Sequence, residues 1–315
     1  NEKRKKIVKK FLVATYLFLS LISVALAEVP RVSVDILPVH SLVSQVLKGL
    51  AVPDLLVETG SSPHNYYMRP SEAAALEAAD IVFWVSDGLT PWFGNVVGTI
   101  SKKAKVIELF KAKGVKKLPF REGAAFENHA HEENHEIGVE KSEDEYNPHA
   151  WLDPENGKLW LDVIATELSK LDPKNSNIYL QNAHEGKLII EAVEKNILIM
   201  LNPYRSKSFV VFHDAYQYFE HRFDFLASGA IALSDASKPS PSRLKEIKDL
   251  ILELGVACVF AEPQYSRGLV NAVTEGTNAH IGVLNPMGVD LKSGPLFYPN
   301  LLEEIAKNIS DCLKL

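Results

Sequence analysis

The stretch Asn175 to Leu201, NSNIYLQNAHEGKLIIEAVEKNILIML, divides this chain of 315 residues. It holds little turn chemistry. Ile178, Ala183, Leu188, Ile189, Ala192, Val193, Ile197 and Met200 recur along it at helical spacing. Asp172 and Pro173 precede it as cap and first-turn residues, and Pro203 follows it. The pattern predicts one helix of about 27 residues, roughly 40 Å long at 1.5 Å of rise per residue. Two shorter helices broken near Glu185-Gly186 are the alternative.

On either side, short apolar strands alternate with amphipathic helices. Before the long helix, strands are expected at Val32–Leu37, Leu55–Glu58, Ile81–Val85 and Val106–Glu108, with helices at Ser41–Leu50, Arg69–Ala79 and Pro91–Ser101. After it, strands are expected at Phe209–Phe212, Phe225–Ala227, Ala257–Ala261 and Gly282–Leu284, with helices at Ser242–Leu254 and Leu269–Gly276. Repeated strand-then-helix order means parallel sheets. The expected fold class is therefore α/β: two lobes, each with a mostly parallel sheet flanked by helices, joined by one long rigid helix. The division reads as residues 28–172, a linking helix over 173–202, and residues 203–315.

Composition narrows the function. Apolar residues make up 46% and charged residues 23%, which is ordinary globular chemistry and argues against a multi-span membrane protein. Residues 1–27 carry six basic residues, Lys3 to Lys10, then the apolar run Phe11 to Leu26 and an Ala25-Leu26-Ala27 site. This is the layout of a secretory signal peptide cleaved after Ala27. The run is short for a membrane span, which needs about 20 residues. The whole chain has a net charge of -6; without residues 1–27, 28 basic and 39 acidic residues remain, a net of -11. So acidic a protein is a poor partner for nucleic acid and an acceptable one for cations. Its two cysteines, Cys258 in a strand pattern and Cys312 on a helical apolar face with Leu301, Ile305 and Ile309, would both be exported, and an oxidising compartment favours pairing them. Two buried thiols are the alternative.

One segment breaks the order. Residues 122–147 are rich in Glu and carry His129, His131 and His135. They read either as a metal-collecting tract or as a solvated acidic loop. Of the ten histidines, three others stand out by setting. His64 follows a strand in Ser62-Pro63-His64-Asn65-Tyr66. His149 precedes a helix in Asn147-Pro148-His149-Ala150-Trp151-Leu152. His213 ends a strand in Val211-Phe212-His213-Asp214-Ala215. Ligands of open α/β sheets bind beyond the carboxyl ends of the strands, where each of these falls. Pro63 and Pro148 stiffen the backbone just before their histidines. No local H-x-x-x-H spacing joins the three.

These stretches, extended to Ser62–Ser71 and Val211–Glu220 and joined by Cys258-Val259-Phe260-Ala261-Glu262-Pro263-Gln264, resemble a known family. It is the periplasmic zinc receptors of bacterial ABC importers, the ZnuA type within the TroA-like (cluster 9) metal receptors. The resemblance covers essentially the whole chain after the signal peptide. It implies two α/β lobes around a metal cleft, ligand roles for His64, His149 and His213, and a Cys258–Cys312 disulfide. Asn285, in Leu284-Asn285-Pro286-Met287-Gly288, stands where the family usually has Asp. The fourth ligand is then the Asn285 oxygen, a water, or a carboxylate elsewhere.

Three neutral imidazoles suit zinc, whereas manganese prefers more carboxylate oxygen. The expected function is a periplasmic receptor that binds Zn²⁺ as cargo and delivers it to a membrane permease of an ABC importer, acting as a monomer. A manganese or iron receptor of the same family is the alternative. A secreted zinc hydrolase is a further reading, with Asp214 or Glu262 as its base, although no H-E-x-x-H motif occurs.

Overall fold

The computed structural model describes residues 29–126, 145–233 and 239–315. The first lobe contains β1 (Val32–Val34), α1 (Leu37–Val46), β2 (Asp54–Leu55), α2 (Pro70–Ala78), β3 (Ile81–Trp84), α3 (Phe93–Ile100) and β4 (Lys105–Glu108). Then come α4 (Pro154–Leu171) and the long α5 (Ser176–Leu201). The second lobe contains β5 (Phe209–His213), α6 (Gln217–Phe223), β6 (Gly229–Ala232), α7 (Pro241–Leu254), β7 (Cys258–Ala261), α8 (Gly268–Thr274) and β8 (His280–Val283), and α9 (Phe297–Leu313) closes the chain. The two four-stranded sheets have strand orders β2-β1-β3-β4 and β6-β5-β7-β8. Every pairing within them is parallel.

Strands buried on both faces need continuous apolar runs. Ile81–Trp84 and Phe209–His213 have them and are buried throughout. Helix starts follow their caps. Asp153 accepts a hydrogen bond from the Glu155 amide with Pro154 in the first turn of α4, and Ser240 does the same for Arg243 ahead of Pro241 in α7. Gly255 ends α7 in the left-handed conformation.

Three packed groups result. One lies outside the first sheet with α2 and α3, around Trp84 and Phe93. Another lies outside the second sheet with α7 and α8, around Val259 and Ile247. The largest is shared: Val34 and Phe83 of the first sheet, Trp160 and Ile197 of the linking helices, Val211 and Phe260 of the second sheet, and Tyr298 and Ile305 of α9 belong to one continuous core. Cys258 and Cys312 form a disulfide that ties β7 to α9.

Several boundaries moved for physical reasons. β1 stops at Val34 because the Asp35 carboxylate takes the Ile36 amide, and α1 then starts at Leu37 rather than Ser41. The strand expected at Phe225–Ala227 is an irregular segment, with Phe225 and Ala227 buried and Leu226 exposed. Asp224 adopts a left-handed φ of 50°, Phe225 N–H closes on the Glu220 carbonyl, and the Ala227 amide is held by the Glu220 carboxylate. The strand itself begins at Gly229, where a Cβ would strike the Ala124 carbonyl. α5 is continuous through Glu185-Gly186. Gly186 lets it approach α1 and α4, since a Cβ there would lie 2.8 Å from Gln45 Cγ and 2.9 Å from Leu161 Cδ1. Its buried face is Tyr179, Ala183, Gly186, Ile190, Val193, Ile197 and Leu201, whereas Ile178 and Leu188 face solvent.

Gly157 of α4 lies against Tyr298 of α9, where a Cβ would lie 2.6 Å from Cζ of the ring. Gly157→Ala is expected to displace Tyr298, break its hydrogen bond to the Trp151 carbonyl (2.7 Å) and destabilise the protein by about 1–3 kcal/mol. Thermal unfolding checks this; an unchanged melting temperature would show that the ring has room to move.

Candidate metal site

The carboxyl edges of the two sheets face each other across a narrow cleft. Its lining includes Pro63, His64, His149, Trp151, His213, Glu262, Gln264 and Met287. Each histidine arrives by a different route. His64 sits in the loop between β2 and α2, whose Pro63 carbonyl accepts the Trp92 indole N–H at 2.8 Å. His149 precedes the short turn Ala150–Leu152 ahead of α4, and Trp151 Nε1 donates across the cleft to the Pro286 carbonyl at 3.0 Å. His213 is the last residue of β5, at the point where strand order reverses between β5 and β7.

The rings converge. His149 lies 5.5 Å from His64 and 5.2 Å from His213, centroid to centroid. His149 is 5% exposed and His213 2%. Among the described residues, no three His, Cys, Asp or Glu side chains stand close enough to hold an ion as they are placed. Two of the imidazoles do meet, however: His149 Nε2 and His213 Nε2 are 3.3 Å apart.

The partners of the other nitrogens fix what that contact is. The Asn147 amide nitrogen donates to the Asp214 carbonyl and to Gln217 Oε1, so its oxygen is the atom facing His149 Nδ1 at 2.7 Å. His149 therefore carries its proton on Nδ1. His213 Nδ1 donates to Glu262 Oε1, also at 2.7 Å. With both rings neutral, the two Nε2 atoms are acceptors and their lone pairs face each other. Two nitrogens bound to one tetrahedral zinc at 2.0–2.1 Å lie about 3.3 Å apart, which is the spacing seen here.

Electrostatics favour a neutral His149 ring. Burial holds the His149 pKa well below its ordinary value, and the neighbouring His213 and His64 lower it further. Burial likewise raises Tyr216, next to Glu262, whose negative charge adds to the effect. Asp214 is pushed up to about 6 by burial, against the opposing pull of Arg121, which bonds both Asp214 and Glu220.

Of the residues expected to act, the structure brings together His64, His149 and His213. Asn285 does not join them. Its Oδ1 accepts from Gln264 Nε2 at 3.1 Å and from the Met287 amide at 3.0 Å, so both lone pairs are engaged. His129, His131 and His135 lie outside the described residues. The root of their segment is fixed: Ala125 pairs with Gly229 at the edge of the second sheet. The orienting roles of Asn147 and Glu262 are not readable as roles in the sequence. Their signals are an Asn directly before a Pro-His and a Glu directly after the strand that neighbours β5.

This is the architecture of a two-lobed binding protein with a histidine-lined cleft at its domain interface. The family described as "ZnuA: Zinc-uptake complex component A periplasmic" matches residues 32–312, and the chain belongs to that family. It is 39% identical over 304 residues to the high-affinity zinc uptake system protein ZnuA of Brucella abortus, covering 90% of this chain and 91% of the relative. It is 36% identical to the corresponding protein of Paracoccus denitrificans, covering 92% and 93%. Among solved structures, a mutant of the laminin-binding adhesin Lmb from Streptococcus agalactiae superposes with a TM-score of 0.74 at 26% identity, covering 90% of this chain and 99% of that one.

A histidine whose pKa is depressed on folding opposes protonation of the folded state. The stability it contributes is complete above pH 6.5 and is lost as pH falls below that value, at up to about 1.4 kcal/mol per pH unit. Metal-free protein is expected to melt at progressively lower temperature below pH 6.5, and His149→Gln is expected to flatten that decline. Parallel pH profiles for the two proteins would contradict the buried, neutral state of His149.

Proposed function

We propose that this chain captures Zn²⁺ outside the cytoplasmic membrane and hands it to the permease of an ABC importer, with His64, His149 and His213 as the protein ligands. The observation that carries the reading is the pair of imidazole lone pairs held 3.3 Å apart by Asn147 and Glu262. A metal ion between the two nitrogens relieves that opposition, and two preset imidazoles suit a metal that accepts nitrogen. Membership of the periplasmic zinc-uptake family supports it. With Asn285 engaged elsewhere, the fourth position falls to water.

The carboxylates a hydrolase would need as a base are turned elsewhere: Glu262 bonds the far nitrogen of His213, and Asp214 is held by Arg121. The site therefore reads as a place to hold an ion rather than to activate a water. In the same reading, residues 1–27 are an export signal removed after Ala27, and the lobes divide at 172 and 203. The receptor acts as a monomer without nucleic acid, and His129, His131 and His135 gather metal ahead of the cleft. No helix among the described residues is long and apolar enough to cross a membrane.

Zinc titration of chelator-stripped protein tests the assignment. His213→Ala is expected to weaken zinc binding by more than about 100-fold, beyond what loss of an outer group causes. Unchanged affinity would remove His213 from the ligand set, and a tight preference for manganese over zinc would overturn the choice of metal.

A further inference from the structure

Glu262 is the sole carboxylate among the residues lining the histidine cleft. It is 2% exposed, and its Oε2 is buried without a hydrogen-bond partner. A carboxylate so far from water, with one oxygen unsatisfied, is costly unless a cation lies near. Its Oε1 bonds His213 Nδ1, and the Tyr216 side chain lies beside it. The two nitrogens of an imidazole point from opposite edges of the ring. A carboxylate bonded to Nδ1 at 2.7 Å therefore lies behind the ring, and it cannot also reach an ion held about 2.0–2.1 Å from Nε2.

The two oriented histidines differ in what orients them. His149 is held by a neutral amide, Asn147, and His213 by a carboxylate. Asn285 adds no charge, and its oxygen is turned to Gln264 and the Met287 amide.

We propose that Glu262 is the positioning residue that supplies the anionic charge of this metal site from behind His213, leaving the inner ligand set without a carboxylate. It fixes the His213 tautomer, makes Nε2 a stronger donor, and offsets part of the ion's charge in a cleft where Asn285 offsets none. This rests on the zinc-receptor reading above.

The test compares wild-type protein with Glu262→Gln, which keeps the shape and removes the charge. Zinc affinity, measured by competition with a chromophoric chelator, is expected to fall roughly 10–100-fold. The visible spectrum of the cobalt(II) form is expected to keep its wild-type band positions and intensity, because no inner ligand is lost. The metal-free variant is expected to melt no lower than metal-free wild type, because an uncompensated buried charge has gone; a merely structural Glu262 would give a lower melting temperature. Equal zinc affinity in the two proteins overturns the inference alone. A cobalt spectrum showing a changed coordination number overturns it in favour of direct ligation, and a lower metal-free melting temperature overturns it in favour of a structural role. Failure of the wild-type protein to bind zinc overturns the receptor reading as well.

Discussion

Burial of α5 against both lobes at once is the constraint on which the rest of the molecule depends. Its inner face packs Tyr179, Ala183 and Ile190 into the same apolar core that holds Phe83 of one sheet and Phe260 of the other. A hinge of the usual kind runs through a few exposed loop residues that absorb large changes of φ and ψ. Here the connection is a helix of 26 residues with Gly186 pressed against Gln45 and Leu161. Opening the cleft widely would expose apolar surface now shared between the lobes. The shared core therefore opposes a wide separation of the two histidine-bearing edges.

Much of this was legible because it is local. Runs such as Ile-Val-Phe-Trp at 81–84 announce buried parallel strands, and the chain's division at α5 follows from a stretch without turn residues. The misplaced pieces are those that a tertiary contact decides. Phe225 and Ala227 are as apolar as a strand, but Glu220 claims their backbone. Leu188 keeps helical spacing and is nevertheless 51% exposed, because Gly186 and Tyr179 choose the face that α5 presents to α1. The histidines were legible through their motifs and their positions at strand ends. The fate of Asn285 was not, since Gln264 lies 21 positions away and nothing local says that its amide turns toward Asn285.

The two sheets also treat their topological switch points differently. In the second sheet, the gap between β5 and β7 holds His213 and Glu262 and opens onto the cleft. In the first, the gap between β1 and β3 is closed by Asp35, whose carboxylate accepts the Ile36 and Val85 amides, both at 2.8 Å. Burial pushes Asp35 up to about 7 against those amides. One lobe thus lines the cleft at its switch point, and the other braces its strand ends there. Arg121 plays a related part by holding Asp214 and Glu220, so that the acid beside His213 is tied to the protein rather than turned into the cleft.

The order in which the chain can fold follows from where α9 begins. Ser41 in α1 donates to the Gly294 carbonyl and accepts from the Tyr298 amide, contacts separated by 253 and 257 positions. The first lobe therefore cannot complete its core from its own residues; it waits for a segment near the carboxyl terminus. Contacts of such long sequence separation form slowly, because loop closure precedes their reward. For a chain threaded through a membrane from its amino end, the first lobe would emerge with apolar surface still open. Assembly would be committed only when the last helix arrives and the Cys258–Cys312 bridge can lock it to β7.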